Sequence, residues 1–166
     1  MANIIVECAK YMMIILIAIY AYQCFTVFAY EDGEAKRRIF RSQNRVMLMI
    51  HFLAFAGMYF KIDENKILIF YLAQLLMLLG IIWLYTKVYP RVSRLIVNNM
   101  CMLLTIGFIM ITRLSYQKAV KQSIIVAVSV AISLAVPVII RKIKGLSMLR
   151  TLYALIGLVA LAAVVV

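Results

Sequence analysis

The side chains best suited to general acid–base, nucleophilic or metal chemistry are few in this 166-residue chain: six carboxylates, one imidazole and three thiols. Their spacing does not assemble a reaction. Glu7 precedes the first apolar run, and Glu31, Asp32, Glu34, Asp63 and Glu64 fall in polar stretches between runs. Cys8, Cys24 and Cys101 show no CxxC spacing and sit in or beside apolar runs, so they read as buried or lipid-facing thiols and not as a disulfide or metal site. His51 is the single histidine and lies inside an apolar run. An ionisable group within a membrane is a functional candidate by default. A lone histidine with no Cys, Asp or Glu in its run also reads as a neutral, hydrogen-bonded packing residue. No catalytic, cofactor-binding or metal-binding residue is assigned from these patterns, and no cofactor is expected.

Composition explains why so little of the chain is reactive. Hydrophobic residues make up 67% and charged residues 14%, against roughly 45–50% and 25% in soluble domains. With a mean hydropathy of +1.04, the chain holds far more apolar surface than a core of this size could hide from water. The bilayer must be the solvent. The net charge of +12 raises nucleic acid as a partner, but the basic residues are split into short clusters between apolar runs, which is how a multi-pass membrane protein distributes charge. Nucleic-acid binding is therefore set aside, and membrane lipids are the expected surroundings.

The apolar runs predict an all-α, polytopic integral membrane helix bundle of about six transmembrane helices, at residues 11–30, 46–60, 67–86, 95–112, 122–140 and 151–166. The first run has no charge over about 30 Å of helix, with tyrosines at both ends. It is a retained helix and not a signal peptide, since it is too long and lacks a small-x-small cleavage site. The second run would give only about 22 Å of helix, so it either crosses, with Arg45 and Lys61 snorkelling or Gln43 and Asn44 extending the helix into the interface, or is re-entrant. The basic stretch 31–45 is expected as a loop, either setting topology or meeting anionic lipid or a partner. Pro90 marks a break, and Pro137 is expected to kink the fifth helix. Gly57, Gly80, Gly107 and Gly157 could permit close helix approach, but no GxxxG pair occurs, so they read as generic packing. The last run is still apolar at Val166, so the chain is expected to be the first part of a longer one.

If all six runs cross, the connections after the first, third and fifth carry twelve basic residues and the opposite side carries six. The positive-inside rule then places the richer side in the cytoplasm and the amino terminus outside.

The stretch LLTIGFIMITRLSYQKAVKQ resembles the first core transmembrane helix and following turn of the SEDS proteins (shape, elongation, division and sporulation), the FtsW/RodA/SpoVE family. The matching features are Gly107, the Ile109–Met110 pair, Arg113 with Leu114, Ala119, and the Lys121–Gln122 pair that opens the second core helix. Other members carry Ser-Ala-Ser where this chain has Arg-Leu. The resemblance covers about 102–166. It implies a division at 94/95, with an extension of three transmembrane helices in 1–94 and the first three core helices in 95–166, apparently truncated. Gly107, Arg113, Leu114 and Gln122 are the family-motif positions. Arg113 and Gln122 are read either as contacts to a substrate head group or as an interfacial anchor and a helix-start hydrogen bond.

What the resemblance implies is a peptidoglycan glycosyltransferase of the bacterial cytoplasmic membrane. Such enzymes polymerise lipid II into glycan strands during division, elongation or sporulation, working with a class B penicillin-binding protein. The family's essential aspartate lies in an outer loop beyond the third core helix, outside this sequence, so the chain by itself is expected to be inactive. A complete small polytopic scaffold or assembly subunit is the alternative. A transporter is weaker, because only His51, Gln74 and Pro137 look like polar or broken positions deep in a span.

Overall fold

The computed structural model describes residues 2–62, 65–89, 91–142 and 154–159, with side chains at 6–60, 65–89, 91–136 and 154–159. It contains five long helices: α1 (Ala2–Thr26), α2 (Gly33–Ile62), α3 (Asn65–Val88), α4 (Arg94–Leu114) and α5 (Tyr116–Lys142). No strand occurs among the described residues. Four segments are long and apolar enough to cross a membrane: Val6–Ala29, Asn65–Val88, Arg94–Leu114 and Tyr116–Val136. The chain is thus an all-α membrane bundle. Helices are the form a single segment must take in hydrocarbon, where every backbone N–H and C=O needs a partner within the segment. Residues 154–159 are helical. The remainder of the sixth predicted run, like Pro90, lies outside the described residues.

The structure revises the second run and its flank. The basic stretch expected as a loop is helical from Gly33, and α2 continues unbroken to Ile62. At 1.5 Å per residue, its 30 residues span about 45 Å, with the apolar run forming its second half. The helix starts where the Lys36 N–H donates to the Asp32 carbonyl at 3.1 Å, with Glu34 in the first turn favouring the positive end of the helix. The turn expected around 113–121 shrinks to one residue. Ser115 is extended, and its N–H donates to the Ile111 carbonyl at 2.8 Å to close α4. Its own carbonyl and hydroxyl accept the Ala119 and Lys118 N–H groups at 3.0 and 3.4 Å, which opens α5. Helix α5 runs on through position 137 to Lys142.

Two compact units result, residues 1–127 and 128–166. The first crosses the 94/95 division that the resemblance implies, because α4 packs among the helices before it. Within this unit the helices alternate in direction. Gln23 and Cys24 near the end of α1 meet Ser42 and Gln43 near the start of α2, while Val6 and Ala9 share a recess with Gly57 and Met58. Helix α3 returns alongside α2, bringing Tyr71 and Gln74 to His51 and Phe55. Helix α4 runs parallel to α2, with Asn98 against Gln43 and Ile109 beside Met58. Lys36, Arg37, Arg38, Arg41, Arg45, Lys87, Arg91 and Arg94 consequently share one end of the unit.

The packed interior is apolar and aromatic, with Phe55, Met58, Ile67, Phe70 and Ala119 forming one cluster at the opposite end. The outer faces stay greasy: Ile14, Phe25, Phe28, Leu76 and Leu103 are exposed. Water would disfavour such a surface, whereas lipid tails match it.

The second unit holds the later part of α5 and the helical residues 154–159, where Leu155, Ile156, Leu158 and Val159 are exposed.

Candidate functional site

Three features of the first unit stand out: two buried polar clusters and one apolar groove. The first cluster ties α1, α2 and α4 together. Asn98, in the first turns of α4, donates through Nδ2 to Gln43 Oε1 at 3.0 Å and to the Phe40 carbonyl at 3.3 Å. Its neighbour Asn99 accepts at Oδ1 from the Tyr20 hydroxyl at 3.0 Å and from the Cys24 thiol at 3.2 Å. Gln43 Nε2 points to Cys24 Sγ at 3.5 Å. Gln43 and Asn98 are both buried, and amides in that position demand partners because an unpaired one costs about 1–3 kcal/mol.

The second cluster joins α2, α3 and α5. His51 Nε2 lies 3.3 Å from Gln74 Oε1, and Gln74 Nε2 donates to Ser123 Oγ at 3.4 Å. Because Gln74 presents its oxygen, the matching tautomer has the imidazole proton on Nε2. The Ser123 hydroxyl donates in turn to the Ala119 carbonyl at 2.9 Å. The imidazole is fully buried, stacked on Tyr71 at 5.1 Å and tilted against Phe55 at 4.7 Å between ring centroids. Its Nδ1 has no partner among the described residues. This is the hydrogen-bonded packing role expected for a lone histidine, with one nitrogen left over.

The groove runs between α4 and α5. It is an open cleft of about 560 Å³, lined by apolar side chains of α4 and by Val126, with Asn99 and Gln122 as its polar members. Two of the four family-motif positions, Gly107 and Gln122, line it together. Arg113 does not. It borders a separate recess of about 260 Å³ with Lys10 of α1 and Gly57 and Met58 of α2. Leu114 is 83% exposed at the end of α4.

A Cβ placed on Gly57, Gly80, Gly107 or Gly157 would meet nothing within 4 Å, so none of them lets two helices approach closely. At Gly107 the missing side chain widens the groove.

Sequence reasoning singled out His51 and Gln74 as deep polar positions but passed over Asn98 and Asn99, and it read Gln43 only as a possible extension of a helix into the interface. The available signal was two adjacent amides just inside an apolar run. Among the described residues no three His, Cys, Asp or Glu side chains converge as a metal site. Comparison with protein-family models, with curated proteins and with solved structures finds no match for this chain.

Proposed function

We propose that the chain is the amino-terminal membrane portion of a SEDS-type (FtsW/RodA/SpoVE) protein, which polymerises lipid II into peptidoglycan glycan strands with a class B penicillin-binding protein. On this reading it sits in the bacterial cytoplasmic membrane, with the amino terminus outside and the basic end of the first unit in the cytoplasm.

The observation that carries the reading is the groove between α4 and α5. Its volume of about 560 Å³ falls in the range of small-molecule sites, about 300–1,000 Å³. Its walls suit an apolar chain, and it is built by the segment that resembles the family. A lipid-linked sugar needs this division of labour, with a tail held between helices and a polar head at the aqueous face. Gly107 leaves room for the tail, and Gln122 supplies a hydrogen-bonding group inside the groove.

The test is photo-crosslinking. The chain reconstituted in liposomes is irradiated with a lipid II analogue carrying a photoreactive group in its prenyl tail. Labelling should concentrate in 96–126 and fall several-fold in Gly107→Trp, which fills the groove. Equal labelling by a diacyl lipid with the same photoreactive group would remove the reading. Reading the gene past the codon for Val166 is a second check: a frame continuing into further helices and an aspartate-bearing outer loop is the expected result.

A further inference from the structure

Of the four arginines of helix α2, three, Arg38, Arg41 and Arg45, are spaced by three and four residues. At about 100° per residue they fall within an arc of about 60°, a single stripe along the helix. All three are exposed, and they alone line a shallow recess of about 530 Å³. The stripe faces away from the protein. On the opposite side of the same turns, Gln43, Met47 and Ile50 are buried against the other helices. Asn98 grips the Phe40 carbonyl and the Gln43 amide, so the helical segment bearing the arginines is anchored and not a loose tail.

Position along the membrane normal matters as much as direction. Arg45 immediately precedes the apolar run that starts at Val46. From Arg38 to Arg45 the helix rises about 10 Å, comparable to the headgroup layer beyond the hydrocarbon edge. Arg38 also borders a recess containing Asp32 and Glu34, yet no ion pair forms at any of the three arginines among the described residues. Planar guanidiniums match phosphate oxygens with paired hydrogen bonds.

We propose that Arg38, Arg41 and Arg45 form a headgroup-binding stripe for anionic phospholipids, placed where α2 leaves the hydrocarbon. The stripe holds the helix at a fixed depth: apolar residues below Arg45 lie in the tails, and the arginines above lie among phosphates. It also makes this end of the bundle sensitive to lipid charge. A basic residue near an anionic surface contributes about fivefold in affinity, so three together give a preference on the order of a hundredfold.

The purified full chain, titrated with phosphatidylglycerol or with phosphatidylcholine of the same acyl chains and followed by native mass spectrometry, should retain the anionic lipid preferentially. The variant R38Q/R41Q/R45Q should lose that preference. R38K/R41K/R45K should keep much of it, and K66Q/K118Q, at the other end of the bundle, should leave it unchanged. Helix content by circular dichroism checks that each variant is folded. Wild-type protein with no preference, or a glutamine variant that keeps it, would overturn the proposal. So would displacement of phosphatidylglycerol by inorganic phosphate at equal concentration, which would identify a free-anion site.

Discussion

The two buried polar clusters solve the same problem with different strength. The Asn98–Asn99 cluster branches: one amide donates twice, the other accepts twice, and three helices meet on four side-chain contacts of 3.0–3.5 Å. The His51 cluster is a single file, with links of 3.3 and 3.4 Å and one ring nitrogen without a partner. Aromatic packing surrounds it instead, from Phe55 and Tyr71. The difference teaches where each set of helices gets its order. Helices α1, α2 and α4 are registered by hydrogen bonds at the basic end, and α2 and α3 are held largely by ring contacts deeper in the bundle.

The sharpest way to break this contrast is Asn98→Leu. It leaves the buried Gln43 Oε1 without its donor, and the expected loss is about 1–3 kcal/mol, toward the lower end because the unfolded chain in a membrane is also without water. Reversible unfolding in mixed micelles measures it. Destabilisation smaller than that of Gln74→Leu would reverse the ranking of the clusters.

A weaker effect is expected at the second cluster. Gln74→Leu removes both links of the file, each worth about 0.6 kcal/mol on average between membrane helices. His51→Phe keeps the ring stacking and removes the unpartnered Nδ1, so it should cost less than Gln74→Leu. A double-mutant cycle between His51 and Gln74 should return about 0.6 kcal/mol of coupling. Coupling near zero would mean that packing alone holds His51.

The smallest effect belongs to Gly107→Ala, which touches neither cluster. Its new Cβ meets nothing within 4 Å, and a helix-interior alanine is favoured over glycine by about 0.5–1 kcal/mol. Unchanged or slightly raised stability is the expectation. A clear loss in the same unfolding assay would show that α4 and α5 do close on this position.

The sequence shows the class and most of the helix positions. The run from 67 to 86 becomes Asn65–Val88, and the run from 95 to 112 becomes Arg94–Leu114. Those positions are legible because hydrocarbon forces each apolar segment to satisfy its own backbone, so hydropathy and helix coincide. The stretch 33–45 broke that coincidence. Its residues are polar, and polarity between spans reads as loop. Yet helix needs only backbone bonds and a supported face, and Asn98 supplies part of that support from 58 residues away at Phe40.

By itself, then, the sequence determined that this is an all-helical membrane chain, with basic residues gathered toward one set of connections. Both follow from composition and order along the chain. Only the tertiary structure decided which amides meet and that Gly107 and Gln122 share a groove while Arg113 stands in another recess. It also turned three arginines into one outward stripe. Each of these depends on the rotation of one helix against its neighbours, a quantity fixed by side-chain packing between segments and not by the hydropathy of any one of them.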